Sequence, residues 1–149
     1  MSKISGTERG YTLLEMLLVL LLLSGAGFVL LVKLPIYFER QHLDLATTQL
    51  LEEIRDVRQT ALAENNWYVV RFYYQSGDHY YQIFRQGTRV KEVYLKNGIK
   101  FFGVPGNEDG KITFNAAGKS SGTTITLINS LGERKSVIVA PVGMRIREQ

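Results

Sequence analysis

The sequence has 149 residues, enough for one compact domain and a long helix but too few for two full domains. It contains no cysteine, which excludes a disulfide framework, a thiolate nucleophile and a zinc-thiolate site. The formal net charge of +4 describes a mildly basic surface, and only a local concentration of Lys and Arg would point to nucleic acid or anionic lipid.

Residues 1–10, MSKISGTERG, are polar, and the apolar residues crowd in behind them. From Met16 to Val32 the chain reads MLLVLLLLSGAGFVLLV without a charge, and Leu13 and Leu14 precede it. At ~1.5 Å per residue, about 20 residues cross a bilayer's hydrocarbon core, so 11–32 is expected to span a membrane. A secretory signal peptide would be cut after its apolar stretch. Here the small residues of Ser24 to Phe28 lie inside the stretch, with more Leu and Val behind them. Lys3 and Arg9 favour a cytoplasmic N-terminus and an external remainder, although Lys33, Arg40 and Glu8 weaken that bias.

Glu15 is the oddity of this segment. A carboxylate within an apolar helix costs about 2.5–3.5 kcal/mol on insertion scales, so it needs a partner or a function, unless it snorkels to the interface. The junction Gly10-Tyr11-Thr12-Leu13-Leu14-Glu15 resembles the prepilin peptidase site of type IV pilins and type II secretion pseudopilins. The shared features are a short basic leader ending in Gly, an aromatic residue after it, Glu at the fifth position beyond the cut, and then an apolar helix. Tyr11 departs from the usual Phe by one hydroxyl. The resemblance implies cleavage after Gly10 and N-methylation of Tyr11 by the prepilin peptidase. It also implies that Glu15 sets assembly and register, by pairing with the terminal cation of a neighbouring subunit.

After Pro35 the pattern becomes amphipathic. Leu43, Ala46, Leu50, Ile54, Val57 and Ala61 recur at three- and four-residue steps, predicting helix over 36–64. Asp44, Gln49, Glu52, Glu53, Arg55, Asp56 and Arg58 fall on the other, solvated face. Gly25, Gly27 and Pro35 weaken the helix between its two parts.

From residue 65 to 149 short runs rich in Tyr, Phe, Val, Ile and Thr alternate with turn residues, which predicts a meander of antiparallel strands. Strands are expected over Tyr68–Tyr74, Tyr80–Arg85, Val90–Leu95, Ile99–Val104, Lys111–Phe114, Thr123–Ile128, Lys135–Val139 and Met144–Arg147. Gly77-Asp78, Gln86-Gly87, Asn97-Gly98 and Leu131-Gly132 supply the turns. The fold class is α+β, a long N-terminal helix whose second half packs on a small antiparallel sheet.

The stretch Ile112-Thr113-Phe114-Asn115-Ala116-Ala117-Gly118, then Gly122-Thr123-Thr124-Ile125, Val137-Ile138-Val139 and Gly143, resembles the C-terminal half of the GspH/FimT group of minor pilins. With Gln49-Leu50 and Arg58-Gln59-Thr60-Ala61, it is similar to the ComGD-type competence pilin of Gram-positive bacteria. That group commonly carries Gly-Arg near its end, whereas here Met144 follows Gly143 and Arg145 and Arg147 are displaced. The resemblance implies a non-enzymatic subunit of a competence pilus that takes up extracellular DNA, without a cofactor. It also implies a single-pass membrane protein before assembly and a cell-surface filament after it, with prepilin peptidase, the membrane and other pilins as partners. The rival within the family is a minor pseudopilin of a type II secretion system. A rival of another class is a single-pass membrane protein with an extracellular binding domain.

The remaining candidates are weaker. Arg134, Lys135, Arg145 and Arg147 fall in or beside the last two strands, where they either meet DNA phosphates or guard an edge strand. His42 and His79 belong to no metal-spaced cluster and read as packing or surface residues. Asn107-Glu108-Asp109-Gly110 offers oxygen ligands to calcium but lacks the EF-hand spacing, and a solvated turn is expected. Gly118-Lys119-Ser120 lacks the earlier glycine of a phosphate loop. Trp67, Tyr68, Phe72, Tyr73, Tyr74, Tyr80, Tyr81 and Phe84 lie among Arg71, Arg85 and Arg89. Cross-strand packing is expected of them before stacking on single-stranded nucleic acid.

Overall fold

A computed structural model describes residues 11–75, 77–103, 105–106, 109–141 and 144–148, with side chains at all of these except 26, 28–33 and 144–148. Helix α1 runs over Leu13–Ala63 with Pro35 inside it, and it continues through Gly25 and Gly27. Its second half buries Leu43, Leu50, Ile54, Val57 and Ala61 of the stripe that the sequence periodicity marks, with Ala46 partly buried, and Thr47 and Leu51 join them. Thr47 is tolerated there because its hydroxyl donates to the Leu43 carbonyl at 2.7 Å. The helix stops where Asn65 turns left-handed at φ 50°. Asn65 N–H then donates to Leu62 O and Asn66 N–H to Ala61 O, closing a Schellman cap.

Among the described residues eight strands follow: β1 (Tyr68–Tyr73), β2 (Tyr80–Arg85), β3 (Thr88–Tyr94), β4 (Lys100–Phe102), β5 (Lys111–Phe114), β6 (Thr123–Ile128), β7 (Arg134–Val139) and β8 (Met144–Glu148). They form two four-stranded sheets, ordered β3-β2-β1-β5 and β4-β6-β7-β8, and every pairing is antiparallel. The expected meander is therefore interrupted. β4 leaves β3 to pair with β6, and β5 returns to pair with β1. Strand β3 starts two residues earlier than expected, because Gln86 and Gly87 both take positive φ in a tight two-residue hairpin turn that places Thr88 opposite Arg85.

Alternation delivers Tyr68, Val70, Phe72, Tyr81, Ile83, Ile112 and Phe114 from the first sheet to the core, and Phe101, Ile125, Leu127, Val137 and Val139 from the second. Each such aliphatic or aromatic side chain is worth about 1.5–3 kcal/mol when removed from water. The chain divides into two compact units at Ile36/Tyr37, and the whole hydrophobic core lies in the second. Among the described residues, four ion pairs tie the helix and its end to the strands and their turns: Arg40 with Glu133, Asp44 with Lys135, Glu53 with Lys91 and Glu64 with Arg85. Partly exposed pairs of this kind contribute at most about 1 kcal/mol each.

Among the described residues no helix is long and apolar enough to cross a membrane. The span expected over 11–32 includes residues 26 and 28–32, whose side chains lie outside the description.

Candidate functional site

The start of α1 is built by Thr12. Its hydroxyl oxygen accepts the Glu15 backbone N–H at 3.2 Å, and its carbonyl accepts Met16 N–H at 3.2 Å. Thr12 is thus the N-cap and Glu15 the third helical residue, the two positions of a capping box. A carboxylate in the first turn also faces the positive end of the helix dipole. The cap is closed by the Glu15 backbone N–H, a local arrangement that the sequence reading missed, although Thr-x-x-Glu ahead of an apolar run signals it. Gly10 lies outside the described residues, and Tyr11 precedes the cap in exposed, non-helical backbone.

Beyond the cap, the large apolar side chains from Leu13 to Leu23 all face solvent, with exposures from 45% at Val19 to 79% at Leu13. Such a contiguous apolar surface requires a lipid or protein environment.

The four basic candidates near the C-terminus differ in their surroundings. The Arg134 guanidinium lies 3.6 Å from the centre of the Phe102 ring, a cation–π contact across the outer side of the second sheet. Lys135 is paired with Asp44 on α1. Arg145 and Arg147 stand in register with Ile138 and Ser136 on the edge strand β8, and their side chains lie outside the described residues.

The aromatic set is divided by strand alternation. Tyr68, Phe72 and Tyr81 enter the core, where Phe72 meets Phe101 edge-on at 5.4 Å. Tyr73, Tyr80 and Tyr94 stack across three strands at 4.5 and 4.9 Å on the opposite side of the sheet. Below them Gln82 accepts from the Tyr73 hydroxyl and donates to Glu92. The Gln82 amide, with the Tyr94 hydroxyl and Arg89, holds the Glu92 carboxyl below its ordinary range.

His42 lines an open groove with Leu45, Gln49 and Tyr94, and His79 accepts a backbone hydrogen bond. Asp109 pairs with Lys111 at 2.8 Å, while Asn107 and Glu108 of the same loop lie outside the described residues. Among the described residues no group of three or more His, Asp or Glu is placed to hold a metal ion.

The stretch around Gly118 makes a structural lock. Arg58 on α1 donates from Nε to the Gly118 carbonyl at 2.9 Å, and the Asn115 side chain accepts the N–H groups of Ala117 and Lys119. Gly118 sits at φ +63°, packed so closely on Leu62 that a Cβ would lie 2.6 Å from its Cγ. Arg58, Asn115 and Gly118 thus bind the helix to the β5–β6 connection.

No family model and no curated protein sequence matches the chain. Solved structures do match. The minor pseudopilin EpsH from the type 2 secretion system of Vibrio cholerae superposes with a TM-score of 0.57, at 12% identity, over 72% of this chain and 97% of that one. The type IV minor pilin FimU of Pseudomonas aeruginosa superposes with a TM-score of 0.56, at 14% identity, over 76% of this chain and 92% of that one. The fold is pilin-like. In this pilin-like fold the helix supplies one wall of the core, as the α+β reading expected, and two antiparallel sheets, where one was expected, supply the rest.

Proposed function

We propose that the chain is a minor pilin of a competence pilus or pseudopilus, a structural subunit that serves the uptake of extracellular DNA. One observation carries the subunit role: a helix capped at Thr12 exposes an apolar surface from Leu13 to Leu23, broken only by Glu15, that adds nothing to the protein's own core. That surface is suited to lipid before assembly and to the helices of other pilins afterwards. The leader motif supports processing between Gly10 and Tyr11, and the first-turn carboxylate of Glu15 supports pairing with a neighbour's freed amine. The resemblance around Arg58 and Gly118 to the ComGD-type pilin favours the competence system. The likeness to a type 2 secretion pseudopilin supports protein export as the second reading.

Co-expression with a prepilin peptidase, followed by intact-mass spectrometry, tests the subunit role. The expected product lacks MSKISGTERG and begins at a methylated Tyr11, and Gly10→Ala impairs the cut. An uncut chain beside an active peptidase, or a cut within Ser24 to Phe28, would overturn it. Deletion separates the two systems, since transformation is lost in one and protein secretion in the other.

A further inference from the structure

The two sheets share no strand pair among the described residues, yet the chain crosses from one to the other between β3 and β4. Asn97 and Gly98, at φ 57° and 73°, turn the chain, and Ile99 N–H donates to Lys96 O. On either side of that turn stands one residue, His79. Its carbonyl accepts the Leu95 N–H at 2.8 Å, beside the end of β3. Its ring nitrogen Nδ1 accepts the Phe101 N–H of β4 at 2.9 Å. Phe101 pairs with Leu127 of β6 across β4's other side, so the imidazole fills the place of a strand on β4's outer edge. The His79 and Phe101 rings lie 5.9 Å apart, and Phe101 is buried edge-on against Phe72 of the first sheet.

We propose that His79 is an acid-sensitive joint between the two sheets: as a neutral Nε2–H imidazole it holds the edge of β4, and on protonation it lets that edge go. The chemistry is one of donors and acceptors. Only the unprotonated Nδ1 has a lone pair for the Phe101 N–H, whereas an imidazolium turns an N–H toward an N–H. The charge that acts on the ring is Lys100 on β4; Asp78 adjoins His79 in sequence, and Lys96 follows Leu95 at the turn. Burial, and then the Lys100 ammonium, lower its affinity for a proton below that of an ordinary histidine. The folded state thus binds fewer protons than the unfolded chain. The joint is complete above the unfolded pKa of about 6.5 and weakens as pH falls from there toward the lower folded value.

The test uses the full-length chain, 15N-labelled in detergent micelles. At about pH 8 the imidazole nitrogens should report the Nε2–H tautomer and a hydrogen-bonded Nδ1, with a protected Phe101 amide. Between about pH 8 and pH 5, protection at Phe101 should fall about tenfold with the midpoint at which the imidazole titrates, while that of Ile125 in the neighbouring strand holds. His79→Gln supplies a carbonyl acceptor that does not titrate, and it should abolish this transition. An Nδ1–H tautomer at high pH, or Phe101 protection that ignores the imidazole's titration, would overturn the proposal. So would a His79→Gln protein that keeps the same acid midpoint. Where His79→Gln fails to fold, the titration of the parent decides alone.

Discussion

Replacing Gly118 by alanine tests the lock between α1 and the β5–β6 connection. The backbone there is left-handed at φ +63°, which costs a residue with a Cβ about 1–2 kcal/mol. The new Cβ would also lie 2.6 Å from Leu62 Cγ and 2.7 Å from Cδ1, well inside carbon contact distance. Leu62 is half exposed, so it can swing outward rather than force the backbone apart, at the loss of about 1 kcal/mol of packing. The sum is about 2–3 kcal/mol, a fall in melting temperature of roughly 10 °C for a domain of this size. Because the whole core lies beyond Tyr37, thermal unfolding of a fragment over 37–149, followed by circular dichroism, is a suitable assay. Leu62→Ala provides the control, since removing the obstructing side chain should reduce the cost of Gly118→Ala to the backbone part, about 1–2 kcal/mol. Equal cost in both backgrounds would refute the collision, and no cost in either would refute the backbone strain as well.

Two further outcomes are expected. Glu15→Val eases membrane insertion but removes the first-turn carboxylate, so protein levels should hold while crosslinking to the proposed partner pilins falls; incorporation equal to the parent's would leave Glu15 with only a snorkelling role. Because Arg134 is held over Phe102 and Lys135 is paired with Asp44, any DNA contact at this end should rest on Arg145 and Arg147. In a gel shift, Arg145→Ala/Arg147→Ala should weaken binding, which itself should fall steeply with salt. Equal binding by both proteins, or none by either at low salt, removes these arginines as a site.

The amphipathic stripe from Leu43 to Ala61 was legible because a helix buried on one face must repeat its apolar residues every three or four positions. The strands were legible for the same reason at period two, and Gln86-Gly87 marked a hairpin because its turn needs positive φ twice. Asn97-Gly98 carries the same local signal and misleads. Its turn forms, but β3 and β4 end in different sheets, since the partner of β4 lies beyond residue 120 and no short-range rule chooses it. The hydrogen bond from Phe101 to His79 was hidden likewise, joining residues 22 positions apart through a side chain whose type suggested only packing. At the candidate site, the Thr12 cap was legible in Thr-x-x-Glu, but the charge of Glu15 in an apolar segment pointed first to pairing or snorkelling of its side chain.

The ion pairs along the rim of α1 carry a consequence for descent. Each joins a residue of the helix, or Glu64 just past its end, to one far along the chain, 40 with 133, 44 with 135, 53 with 91 and 64 with 85. A single charge reversal at any of them sets like charges side by side, whereas a second reversal at the partner restores the attraction at little net cost. In distant relatives these positions should therefore change in couples, acid for base on both sides at once. Lone substitutions should favour neutral residues such as glutamine, which keep the reach of the side chain without the repulsion.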